Sequence, residues 1–174
     1  MIDDEANEVA RVAQGDRAAY ARLVSQHLRP IEAYAMRIAG NAATAQDVVQ
    51  EVMLRLWLRA REFQPERARL TTWLHQMAHN LCIDKLRREG RLTRLEDDDV
   101  SPLADHVDDS ADDVQRALAQ LPERQRQALV LTYYQGLTNA EVAEVMGLGV
   151  RAVESLLVRA RASLKQLLEQ ADDY

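Results

Sequence analysis

The sequence predicts an all-α protein: two small helical domains joined by a flexible acidic linker, the C-terminal one a helix-turn-helix. Three observations carry this. The 174 residues are 47% hydrophobic with only six Gly and four Pro, which favours helix and suffices for one medium domain or two small ones. Apolar residues recur at helical spacing on both sides of one charged stretch. That stretch, "EDDDVSPLADHVDDSADD" at 96–113, holds nine acids and no Lys or Arg. It lacks a helical period, as a solvated linker does. The organisation is therefore 1–95, linker 96–113, and 114–174.

In the N-terminal part, "GDRAAYARLV" offers Asp16 as N-cap of a helix running to about Ala39. Tyr20, Leu23, Val24, Ile31, Tyr34, Ala35 and Ile38 form its apolar side, and Pro30 is expected to kink or break it. In "GNAATAQDVVQEVMLRLWLRAREF", Val48, Val49, Val52, Met53, Leu56 and Trp57 repeat at i, i+3, i+4, i+7 and i+8. Asp47, Gln50, Glu51, Arg55 and Arg59 fall on the other face, and a charged face of this kind is ordinarily solvated. Pro65 marks "QPERARLTT" as a loop. The stretch "LTTWLHQMAHNLCIDKLRRE" then predicts a helix with Thr71 or Thr72 as N-cap. Leu74, Met77, Ala78, Leu81 and Leu86 are its buried stripe.

In the C-terminal part, Pro122 is placed to open a helix at Glu123, which ends near Gly136. Thr138-Asn-Ala-Glu141 matches the S/T-x-x-E capping box. The short helix it starts ends at Gly147. After "GLG", Val150 to about Glu169 reads as a long helix with Val153, Leu156, Leu157, Ala160, Leu164, Leu167 and Leu168 periodic. A capped short helix, a Gly-containing turn and a second helix describe a helix-turn-helix, although any small helical bundle can mimic the pattern.

The net charge of −6 hides an asymmetry. Residues 1–95 carry 15 Lys/Arg against 12 Asp/Glu, and residues 114–174 carry seven of each. A mildly basic half beside an acidic linker is compatible with a nucleic-acid partner. One Cys excludes an internal disulfide framework and suits a reducing compartment. The start, "MIDDEANEVA", has no apolar core of a signal peptide, and no run reaches membrane-spanning length. A cytoplasmic protein without membrane insertion is the expectation.

His75, His79 and Cys82 stand four and three apart, and His-x3-His is a metal-ligand spacing. A zincin would carry Glu after the first His, and here Gln76 follows. Cys82 between Leu81 and Ile83 fits a small core residue. No metal, cofactor or catalytic group is expected. A zinc-dependent helical enzyme is the distant alternative, and a stand-alone helix-turn-helix regulator with an N-terminal sensor or dimerisation domain is the nearer one.

"AQDVVQEVMLRLW", "TTWLHQMAHNLCIDKLRR" and "LPERQRQALVLTYYQGLTNAEVAEVMGLGVRAVESLLVRARASL" resemble the extracytoplasmic-function class of bacterial RNA polymerase sigma factors, in the family's order and with a linker before the third. The resemblance implies that Asp47, Gln50, Glu51 and Arg55 meet the clamp of the polymerase's largest subunit. It implies that the loop Gln64 to Thr72, with Asn80, captures a flipped base of the minus-10 element. Arg67, Arg69, Lys85, Arg87, Arg88 and Arg91 would follow its backbone, with Asp84 positioning Asn80 or an Arg. Trp73 and Trp57 would anchor the core. It implies minus-35 contacts from Thr138, Arg151, Glu154, Ser155, Val158, Arg159 and Arg161, and a flap of the second-largest subunit gripped near Leu129–Tyr134. Glu154 and Leu156 stand where relatives often carry a base, so base preference is not carried over. The acidic linker would mimic nucleic acid inside polymerase, and an anti-sigma protein would hold the chain silent.

Overall fold

The computed structural model describes residues 2–90 and 113–172. Its described elements are helical: α1 (Ile2–Ala13), α2 (Arg17–Ala39), α3 (Ala42–Arg59), α4 (Leu70–Arg88), α5 (Asp113–Gln120), α6 (Glu123–Leu129), α7 (Asn139–Met146) and α8 (Val150–Asp172). A 3₁₀ turn, Ala60–Glu62, follows α3, and a π-helical turn, Val130–Tyr134, continues α6. Of the acidic segment only Asp113 is described; residues 96–112, and Arg91, lie outside the described residues.

The helix boundaries follow local chemistry. Asp16 Oδ1 accepts the backbone N–H of Ala18 and Ala19 at 3.0 and 3.1 Å, satisfying donors that the first turn of α2 leaves free. Gly40 closes α2 in the left-handed region at φ 76°, where a side chain would be strained. Asn41 Oδ1 caps α3 through Thr44 N–H at 2.8 Å. Thr138 and Glu141 complete the reciprocal capping box of α7, at 3.2 and 2.8 Å.

Two expectations are corrected, and one helix went unpredicted. Pro30 neither breaks nor ends α2. It removes one backbone hydrogen bond on an exposed face, while buried Leu23, His27, Ile31, Tyr34 and Ile38 hold the helix to the core on both sides of it. Neither Thr71 nor Thr72 caps α4: the helix starts at Leu70, with Arg69 before it and no side-chain cap. Leu70 is buried, so the core draws the helix start ahead of the threonines. The apolar spacing also does not predict α1, whose buried residues, Val9 and Val12, are a stripe too short to register.

The two helical domains, α1–α4 and α5–α8, are packed on each other, chiefly α4 against α7, with α2 touching α5, α6 and the π-helical turn. One apolar cluster runs through the seam, from Leu70, Leu74 and Ala78 to Leu131, Leu137, Val142, Ala143 and Val145. A smaller cluster, Leu118, Leu121, Leu129 and Ala160, belongs to the C-terminal domain alone.

Candidate nucleic-acid interface

The outward face of α8 is as the sequence predicts. Val153, Leu156, Leu157 and Ala160 are buried, and Arg151, Glu154, Ser155, Val158, Arg159 and Arg161 are exposed. The preceding turn is set by Gly147 at φ 67° and by the Leu148 N–H bonded to the Ala143 carbonyl at 2.9 Å. Partly buried Leu148 thereby plugs the angle between α7 and α8, and the N-terminal part of α8 projects as a recognition helix does. Thr138 is exposed but commits its hydroxyl to the cap. Arg161 donates to the Tyr133 hydroxyl at 2.7 Å.

The residues assigned to the minus-10 element are spread over the loop before α4 and two grooves along α4 that meet at Asp84. Arg67 and Arg69 lie in the loop before α4, and Arg69 lines a groove with Asp4, Glu5, His27, Phe63 and Pro65. Asn80 stands ten residues into α4, about 15 Å along the axis from Leu70. Asn80, Asp84 and Arg87 line a second cleft whose other wall is Arg124, Gln127, Met146 and Leu148. Lys85 and Arg88 share a third groove, between α3 and α4, with Asp47, Gln50, Glu51 and Arg55. Lys85 Nζ lies 3.6 Å from Asp47, which joins a DNA candidate to a polymerase candidate. Trp73 packs against the core with its ring 5.4 Å from Phe63, bracing the loop between them. Trp57 meets Tyr20 edge-on at 5.2 Å.

Sequence reasoning missed several residues. Leu54 and Leu58, on the polar side of α3, are 49% and 68% exposed. Their i, i+4 spacing beside Asp47 and Glu51 was the available signal, an apolar pair on a charged face. Arg37 lies over the Tyr134 ring at 4.1 Å, and Arg69 forms a bidentate pair with Glu141 at 2.5 and 2.9 Å. Both contacts cross the seam and depend on tertiary packing. Hydrogen bonds to Arg69 are the main cause holding the Glu141 carboxyl down at about 2.

His75, His79 and Cys82 are absorbed by the core. His75 donates from Nδ1 to the Thr71 carbonyl at 2.7 Å, and its Nε2 meets the Gln135 side-chain amide at 2.9 Å. Tyr34 and His79 share a buried 2.9 Å hydrogen bond in which the neutral ring accepts the hydroxyl proton. Burial pushes the Cys82 thiol up to about 12, far from thiolate reactivity. Among the described residues, no three His, Cys, Asp or Glu side chains gather as a metal site.

Burial holds His79 down at about 4, below the ordinary 6.5, so its contribution to stability is full above pH 6.5 and is lost as pH falls toward 4. A loss of about 2 kcal/mol between pH 7 and pH 5 follows from that displacement. Chemical denaturation at the two pH values should show it, and His79→Gln should flatten the slope. An equal slope in both proteins would contradict the assignment. Burial lowers His75 too, so a smaller slope of the same sign should remain.

Comparison with known proteins decides the family. The model for Sigma-70 region 2 matches residues 23–92, and that for Sigma-70 region 4 matches residues 111–164. The ECF RNA polymerase sigma factor SigM of Mycobacterium tuberculosis is 35% identical over 94% of this chain and 84% of its own length. The chain belongs to the extracytoplasmic-function sigma factors.

A second relative, the ECF sigma factor SigK of Mycobacterium bovis, is 31% identical over 91% of this chain and 90% of its own. The structure of CnrH in complex with the cytosolic domain of CnrY superposes on this sigma factor with a TM-score of 0.73, at 30% identity, over 95% of this chain and 97% of that one. RpoE from Bartonella quintana, solved with the anti-sigma factor NepR, shares the fold at TM-score 0.70 and 24% identity, over 86% and 96% of the two chains. This sigma factor is thus a DNA-binding factor of transcription initiation. The region 2 match leaves out α1. No described helix is long and apolar enough to cross a membrane.

Proposed function

We propose that this sigma factor guides core RNA polymerase to two-part promoters, by minus-35 duplex readout through α8 and minus-10 strand capture through the loop before α4 and the outer side of α4. The observation that carries this reading is the outward set of Arg151, Glu154, Ser155, Val158 and Arg159 on a helix fixed by a capped partner and a glycine turn. Such a helix presents base-reading side chains to the major groove, where Arg pairs with guanine and Glu accepts from cytosine. Residues 1–95 carry the clamp and minus-10 surfaces, and 114–174 the minus-35 and flap surfaces. Asp47, Gln50, Glu51 and Arg55 border the clamp contact. The acidic segment 96–113 joins the two parts as a nucleic-acid mimic. The chain works in the cytoplasm and catalyses nothing itself.

An anti-sigma protein is the proposed silencing partner, since exposed apolar residues such as Leu54, Leu58 and Val158 mark surfaces made for other molecules. CnrH, the similar protein solved with CnrY, gives the precedent of a bound partner.

Substitutions on the two domains should fail at different steps. Arg159→Ala should weaken closed-complex formation by about 1–3 kcal/mol, with no effect on a promoter lacking the minus-35 element. Asn80→Ala should spare docking and impair strand opening. A template mismatched at the minus-10 element should rescue it, because the unpairing cost is gone. Permanganate footprinting on both templates tests this. If the mismatched template rescues Arg159→Ala instead, the two roles are assigned to the wrong domains.

A further inference from the structure

The apolar seam between the two domains is bordered by polar contacts, one of them from a residue assigned to DNA. Arg69, in the loop assigned to the minus-10 strand, donates from the Nε–Nη2 edge of its guanidinium to both carboxylate oxygens of Glu141 of α7. The same Glu141 carboxylate also accepts the Thr138 backbone N–H. The carboxylate is mostly buried, at 18% exposure, while the Arg69 side chain keeps 47%. Beside this pair, His75 of α4 meets Gln135, and Arg37 of α2 covers Tyr134. The second cleft sets Arg124 and Gln127 directly across from Asn80 and Arg87.

This closed arrangement cannot read a whole promoter. Packed helices lie about 8–10 Å apart. Elements named for positions 10 and 35 are separated by about 85 Å of duplex, at 3.4 Å per base pair. The domains must part for both elements to be held at once, and parting them breaks the Arg69–Glu141 pair. An apolar strip bordered by ionic and amide contacts has the centre-and-rim pattern of an interface between separable bodies.

We propose that the Arg69–Glu141 pair is an intramolecular latch: Glu141 occupies the guanidinium that a promoter phosphate takes in the open state, so the free chain is held closed by its own helix-turn-helix. The competition with DNA rests on reading Arg69 as a minus-10 contact; the latch itself rests only on the geometry. A carboxylate and a phosphate oxygen pair make the same bidentate demand on arginine. The latch keeps the strand-capturing loop engaged within the chain until polymerase and DNA supply replacement contacts, while the outward face of α8 stays exposed.

Glu141→Gln tests the latch without destroying the helix cap, because Gln serves at the third position of a capping box. Spin labels at Ala43→Cys and Ala162→Cys, both exposed, report the separation of the domains in the full chain, and buried Cys82 stays unlabelled. The unsubstituted background should show one short, narrow distance distribution. Glu141→Gln should lower the closed-to-open ratio about threefold to tenfold, the range of a partly exposed charge pair. It should also raise the association rate with core polymerase. Added salt should open the unsubstituted chain more than the variant. Gln135→Ala, which removes the His75 contact, should act in the same direction and covers the case of a misfolded Glu141→Gln. Broad, long distances before substitution, unchanged distances in both variants, or an unchanged association rate would overturn the latch. None of these measurements uses promoter DNA, so they stand apart from promoter-specific initiation, which tests the function.

Discussion

Arg126→Met should cost about 3–5 kcal/mol of stability, because it strands a buried carboxylate. Arg126 is fully buried on α6, and the Glu123 side chain is only 4% exposed. The guanidinium pairs with Glu123 and donates to the Ala119 carbonyl at 3.1 Å. Gln127 donates to the other Glu123 oxygen at 3.1 Å. Removing Arg126 leaves Glu123 with an amide as partner and no opposing charge, far from water. Glu123→Leu combined with Arg126→Met should recover most of the loss, since exchanging a whole buried pair for apolar residues removes both desolvation penalties. Urea denaturation of the single and double variants gives the coupling. A single-variant loss below about 1 kcal/mol, the size of a surface pair, would contradict burial of the pair.

That ion pair also marks where sequence patterns stop being informative. Glu123, Gln125, Arg126 and Gln127 are all buried, though "PERQRQ" offers no apolar stripe to announce it. Helix α6 touches α2 as well as α8, so it lies between its own domain and the other one. Periodicity assigns a helix one wet face and one dry face, and a helix enclosed on both sides escapes it. The elements legible in advance were those written in local chemistry: the Asp16 and Thr138 caps, the glycine stop at Gly147, and the stripes of α3 and α8. The outward side of α8 was legible for the same reason, since 3.6 residues per turn fixes it once Val153 and Leu157 are buried. The seam was not legible. Arg69 and Glu141 are 72 residues apart, and nothing near either residue signals the other. The minus-10 set is spread because Asn80 and Arg87, seven residues apart, share one side of α4, while Lys85 and Arg88 turn toward α3. Residue type and order do not reveal this spread until the neighbours of α4 are known.

Leu54→Glu should reduce affinity for core polymerase about a hundredfold, near 2.7 kcal/mol, while leaving the fold intact. Leu54 is half-exposed and borders the groove formed by Asp47, Gln50, Glu51, Arg55, Lys85 and Arg88. Leu58 stands one turn further on and is more exposed. Protein interfaces concentrate their energy in an apolar centre and surround it with a polar rim. In the proposed clamp contact, Leu54 and Leu58 would be the centre and the charged residues the rim. In the free chain those charges largely satisfy each other, Arg55 bonding Glu51 at 3.0 Å and Lys85 facing Asp47, so single rim substitutions should have smaller effects. A carboxylate at position 54 would be desolvated by the partner without a counter-ion, and that cost falls on binding alone. Because the side chain already faces water, thermal unfolding should stay close to that of the parent protein. Met36→Glu is the control: Met36 is 43% exposed on α2, bordering a different groove with Ala42 and Ala45, and its affinity should stay within about twofold, under 0.5 kcal/mol. Titrating labelled protein with core polymerase measures all three. Equal losses for Leu54→Glu and Met36→Glu, or no loss for either, would remove α3 as the polymerase-binding face.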